Sequence, residues 1–160
     1  MSRNDYRFGD LRDVLTHADV SAPEVSRWSI GMHVHHCCLS MLAIAGGLAK
    51  SKPPAPAPRL SLPRFAVLAS GKIPRGRAQT AAHLAPRPSA PRAEIVELLE
   101  ESARQIDDAG RLGRNTWVTH PILGPLRRDA ALKFARIHNH HHLQIISDIL
   151  KRQAKNRRVP

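Results

Sequence analysis

At 160 residues and 17.7 kDa the chain is long enough for one domain with a real core, and with only 4% aromatics that core must be aliphatic. The 25 Lys and Arg against 13 Asp and Glu give a net charge of +12. That charge is scattered and not interleaved with aromatics, which disfavours a base-stacking nucleic-acid surface and leaves an anionic partner open.

Residues 1–6 lack the basic-then-apolar pattern of a signal peptide, and no run approaches the length of a membrane helix, so a soluble, cytoplasmic protein is expected. A short helical segment covers about residues 8–18, with Phe8, Leu11, Val14 and Leu15 on one side. A second opens near Trp28-Ser29 and runs to Gly46-Gly47, whose paired glycines suit a helix end. Its expected buried stripe is Trp28, Met32, His36, Leu39 and Ala43. The only cysteines, Cys37 and Cys38, are neighbours on this segment. They point about 100° apart, which rules out a disulfide framework or a Cys-rich zinc site and fits a reducing compartment.

Residues 50–92 carry nine of the 13 prolines, so long regular structure is excluded there. A short helix is expected at about 62–70, then turns at 71–77. Leu60, Leu62, Phe65, Val67 and Leu68 are the expected anchors. The preferred role is a crossover that lets the flanking helices run parallel, and a disordered linker is the alternative. A third segment follows Pro91 and ends near Ala109-Gly110, with Ile95, Leu98, Leu99, Ser102, Ile106 and Ala109 as its stripe. The fourth runs from about 127 to 155, with Asp129 in its first turn and cations in its last, and ends in a basic tail over 151–160. No strand pattern stands out, and the expected class is all-α, in a single domain over 1–160.

The fourth segment holds the strongest chemical signal. Four of the ten histidines fall at His138, His140, His141 and His142. On a helix, His138 and His142 stack one turn apart, the spacing with which H-E-x-x-H motifs hold zinc. Both belong to the apolar series Ala131, Phe134, Ala135, Ile145 and Ile149, where a solvated decoration would not sit. His36 lies in the middle of the second stripe. If the two helices face each other, three imidazoles converge on an open divalent-metal site.

The plainer alternative for any one core histidine is a satisfied structural residue. His33, His35, His140 and His141 are expected off the stripes or at their margins, with His141 the most credible substitute ligand or neighbour of the site. His120 opens His120-Pro121-Ile122-Leu123-Gly124-Pro125-Leu126, a turn entering the fourth helix. It reads as a structural cap, or else as a contact to ligands or substrate.

Trp28-Ser29-Ile30-Gly31 followed by His36, then His120-Pro121, Gly124-Pro125-Leu126, Phe134 and His138-Asn139-His140-His141-His142-Leu143, resembles the DinB/YfiT-like metalloenzyme superfamily. Gly71-Lys72-Ile73-Pro74-Arg75-Gly76 and Ile145-Ile146 with Asp148-Ile149-Leu150 are similar to a branch of that group whose function is uncharacterised. The resemblance spans about residues 8–150. It implies a four-helix bundle with a long crossover between its second and third helices. It further implies a divalent ion, commonly zinc or nickel, on three histidines. One lies eight residues after the tryptophan, here His36, and two lie four apart, here His138 and His142. Characterised members of the superfamily include S-transferases and isomerases that use low-molecular-weight thiols.

The expected function is therefore a metal-dependent enzyme, a thiol-dependent transferase or a hydrolase. Its small-molecule substrate would be anionic or a thiol, drawn in by Lys72, Arg75 and Arg77. No carboxylate on either stripe stands ready as a general base, so metal-bound water or thiol, or His141, would have to serve. The rival expectation is a non-catalytic basic bundle that binds nucleic acid or another anion, although no helix-turn-helix signature favours nucleic acid. A bundle with a vestigial site, kept for dimerisation, is a third. No membrane partner is expected, and a homodimer is compatible with all three.

Overall fold

The computed structural model describes residues 6–52, 56, 61–76 and 80–157, so Leu60, Arg77 and the end of the basic tail lie outside the described residues. The elements in order are α1 (Phe8–Asp13), α2 (Ile30–Ala49), α3 (Leu62–Ser70), α4 (Arg92–Arg111), β1 (Trp117–His120), β2 (Gly124–Arg127) and α5 (Arg128–Asn156). Helix dominates, as expected. The two strands were not expected: β1 and β2 form an antiparallel hairpin with Val118 opposite Leu126 and His120 opposite Gly124. Each strand is four residues long and β2 contains Pro125, so no alternation is long enough to read in the sequence.

The first helical stretch splits into α1 and a 3-10 turn, Val14–His17, with Leu11 and Leu15 buried. Helix α2 begins where Ser29 caps it, its hydroxyl accepting the Met32 N–H at 3.3 Å. It then continues through Gly46-Gly47 to Ala49. The glycines therefore do not end the helix. A Cβ on Gly47 would collide with Cγ2 of Val118, so this glycine lets the hairpin pack against the α2 backbone.

Three helices position the interior. Ile95 of α4 lies against Gly31, and Ser102 lies beside the Cys38 thiol seven residues further along both helices, so α2 and α4 run parallel. His33 meets His142 and His36 meets His138, so α2 and α5 run antiparallel. Because α2 is packed on both sides, its burial is wider than the single expected stripe. Ile30, Val34, Cys37, Cys38, Met41, Ile44 and Leu48 are buried, whereas Ala43 is exposed and Met32 and Leu39 are only partly covered. On α4 the stripe holds, except that Ala103 is buried where Leu98 is only partly so.

Two further expectations need correction. Helix α2 is long and apolar enough to cross a membrane by length and composition, contrary to the absence of such a run expected above. Most of it is buried inside the fold, the role of a core helix. In the connecting segment α3 forms as expected, but of the described expected anchors only Val67 is buried and Leu68 packs beside it, while Leu62 and Phe65 are 87% and 75% exposed. The segment is also held down by polar contacts, two of them from α2. Arg87 donates its backbone N–H to His35 Nδ1 at 3.2 Å, and His36 Nδ1 meets the Leu84 carbonyl at 2.8 Å.

Candidate metal centre

A carbonyl oxygen can only accept, so the contact to Leu84 fixes the proton of His36 on Nδ1. Its Nε2 lone pair is thereby committed to the interior, where it lies 3.2 Å from Nε2 of His138. One turn along α5, the His142 ring sits 4.6 Å from that of His138 and 4.9 Å from that of His36, centre to centre. One ring nitrogen from each of His36, His138 and His142 falls within 4.8 Å of the other two. The α5 pair meets because residues four apart share a helix face. His36 joins them because α2 and α5 run antiparallel at this level.

Burial decides the protonation of these rings. It drives the pKa values of His138 and His142 well below the ordinary value, with the mutual repulsion of neighbouring imidazoles adding to it. Burial also lowers His36, against the opposing pull of the Leu84 carbonyl. At neutral pH the rings are uncharged and offer lone pairs, the form in which imidazole binds a metal. The Nδ1 atom of His138 is buried and has no hydrogen-bond partner among the described residues. If its proton is on Nδ1, two Nε2 lone pairs face each other at 3.2 Å, a repulsion that a shared cation would turn into attraction. Both nitrogens could reach one ion at about 2.1 Å. The donor set therefore fits a divalent transition metal. Three imidazoles accept zinc, nickel, copper or cobalt and do not choose among them.

Trp28, just before the Ser29 cap, closes one side of the cluster. Its ring is 5.1 Å from His36, 5.3 Å from His33 and nearly parallel to His142 at 6.2 Å. His141, the proposed substitute ligand, is half-buried with its ring 5.2 Å from His142 and is not one of the three that converge. His140 is exposed and bonded to Gln144. His120 behaves as a cap: its Nδ1 accepts the N–H groups of Ile122 and Leu123, each at 3.1 Å. It approaches the cluster only through Phe134, whose ring lies between those of His120 and His138 at 4.6 and 5.7 Å. Arg75 is held near α5 by an ion pair with Asp148 at 2.9 Å, Lys72 is exposed, and Arg77 falls outside the described residues.

The residue that sequence reasoning missed is His33. It is 2% exposed, and its Nδ1 lies 2.9 Å from Nδ1 of His142 while its Nε2 lies 3.0 Å from Oγ of Ser26. Burial, with the charges of His36, His141 and Arg75 adding to it, lowers its pKa to about 4. Its spacing of three from His36 was the available signal, since both then face the same neighbour.

A family model described as "Protein of unknown function (DUF1569)" matches residues 2–148. No curated protein and no solved structure matches the chain. With nearly its whole length matched, the chain belongs to the DUF1569 family.

Proposed function

We propose that the protein is a divalent-metal-dependent enzyme of DinB-like four-helix-bundle type, with His36, His138 and His142 as ligands and zinc or nickel as the ion. The observation that carries this reading is the Nε2 atom of His36. The Leu84 carbonyl commits its lone pair to a buried site already shared with a second imidazole. A proton locked on the distal nitrogen is how metal-binding histidines are oriented.

When bound, the ion supplies Lewis acidity that makes a water or thiol more acidic and so a better nucleophile at neutral pH. The residues of the chain do the rest. His36, His138 and His142 stay neutral and fixed, and Trp28 packs against the rings of His36 and His142. The segment that carries Leu84 holds His36 in register. Arg75, steadied by Asp148, places positive charge near His33 and His141 and would draw in an anionic substrate or a thiolate. This suits a thiol-dependent transferase or a hydrolase acting on a small molecule.

The test is metal content in protein purified without immobilised nickel. One ion per chain is expected in the wild type and none in the variant that carries alanine at positions 36, 138 and 142. Wild-type protein that takes up neither zinc nor nickel would sink the proposal.

A second reading, a basic bundle that binds an anion without catalysis, draws on a different place. A cleft of about 530 Å³ at the foot of the hairpin is lined by Arg64, Arg114, Arg127 and Trp117, with Asp129 the one acidic group. Salt-dependent binding of RNA or a polyphosphate that is lost on charge reversal at Arg114 and Arg127 would favour this reading.

A further inference from the structure

Three groups continue the metal site outward in a line. His142 Nδ1 meets His33 Nδ1 at 2.9 Å, His33 Nε2 meets Ser26 Oγ at 3.0 Å, and Ser26 Oγ accepts the backbone N–H of Trp28 at 3.1 Å. The line is rigid at its far end. Ser26 sits in a tight turn closed by its own N–H on the Ala22 carbonyl at 2.9 Å, and Gly31 donates to the Ala18 carbonyl at 2.8 Å. Protons can be ordered along it in only two ways. If Ser26 donates to His33, then His33 donates to His142 and the proton of His142 lies on Nε2. If His33 donates to Ser26, then His142 donates to His33 and the Nε2 atom of His142 is a bare lone pair.

We propose that the second order holds and that His33 is the positioning residue of the site. It takes the Nδ1 proton of His142 and so aims the Nε2 lone pair of His142 at the His36–His138 pair. This inference rests on the reading of His142 as a ligand through Nε2. It gives two of the three ligands the same device: a backbone carbonyl from the connecting segment for His36, and a neutral imidazole from α2 for His142. A histidine ring in water prefers its proton on Nε2. An Nδ1–H tautomer at His142 is therefore a signature that mere burial does not produce. His33 itself remains outside the ligand set, because its two nitrogens are already engaged.

The test uses metal-free, ¹⁵N-labelled full-length protein at neutral pH and reads imidazole tautomers by long-range proton–nitrogen NMR. The wild type should show His142 as Nδ1–H. His33→Ala should return it to mainly Nε2–H, and His33→Asn, which keeps an acceptor near the Nδ1 position, should preserve it. Ser26→Ala, a change in a partly exposed loop that removes only the hydroxyl, should shift the tautomer in the same direction as His33→Ala but less far. In a parallel zinc titration, affinity should fall about 10- to 100-fold in His33→Ala and recover in His33→Asn.

His142 as Nε2–H in the wild type, a tautomer unaffected by His33→Ala, or zinc affinity unchanged in that variant would overturn the proposal. Loss of a whole imidazole from the metal's coordination shell in His33→Ala would also overturn it, by making His33 a ligand. Failure of the wild type to bind zinc or nickel at all would defeat the metal reading instead, and the tautomer would still decide the hydrogen-bond order.

Discussion

The two flanks of α2 are built from opposite materials. Towards α4 it presents Gly31 and Cys38 to Ile95 and Ser102, a parallel contact of small and aliphatic groups. Towards α5 it presents His33 and His36 to His138 and His142, an antiparallel contact of four imidazoles. The first flank lowers the free energy of folding through buried area, at about 25 cal/mol per Å². The second costs desolvation at every ring and leaves one nitrogen, Nδ1 of His138, without a hydrogen-bond partner among the described residues. One flank makes the fold and the other uses it. The contrast predicts that substitutions on the two sides separate stability from metal binding.

The largest effect on stability is expected on the apolar side. Leu99→Ala, at a position 2% exposed, should cost about 2–5 kcal/mol in denaturant unfolding and leave zinc affinity unchanged. A matching loss of affinity would break the contrast. Gly47→Ala follows, at about 1–3 kcal/mol, because the new methyl collides with Val118 and α2 must move off the hairpin. Thermal unfolding reads it directly.

The imidazole flank should show itself through pH. In the metal-free protein His33 titrates near 4 against 6.5 in the unfolded chain, and His138 and His142 are lowered in the same direction. Between about pH 6.5 and 4 the unfolded state therefore binds more protons. Stability is full above this window and is lost as pH falls through it. Unfolding at pH 5 should take up more than one proton, measured from the slope of unfolding free energy against pH. A flat profile from 7 to 4 would mean that the rings are not buried as described.

The smallest effect on the fold is expected from His138→Ala, within about 1 kcal/mol of the metal-free wild type. It trades lost packing against removal of a buried, unpartnered nitrogen. The same change should abolish the rise in melting temperature that zinc gives the wild type. If it destabilised as much as Leu99→Ala, the division between the two flanks would collapse.

How much of this was legible depended on how many sides an element buries. On helix α5 the 3.6-residue period picked out the buried Phe134, His142 and Ile145 and the partly buried His138, but passed over Leu132, Ile137, Asn139 and Ile146, which are buried beside them. Helix α2 is flanked on two sides, where a single stripe is the wrong template. The series through His36 ended in an exposed Ala43 and passed over His33 and His35, both more buried than His36. The near-absence of charge along α2 was the cue that no single face was privileged. The hairpin was invisible for a different reason, since four-residue strands with a proline carry no countable alternation. The contact between His36 and Leu84 joins residues 48 apart across the Pro-rich connection. It depends on where that segment lands, which no local pattern encodes.

X-ray absorption on zinc-loaded protein, purified without nickel resin, tests the central claim most directly. The account predicts one ion per chain with three imidazole nitrogens at about 2.0–2.1 Å, and loss of this signature in His142→Ala. A wild-type spectrum that fits only water or a scattered surface set of ligands, unchanged in His142→Ala, would contradict it.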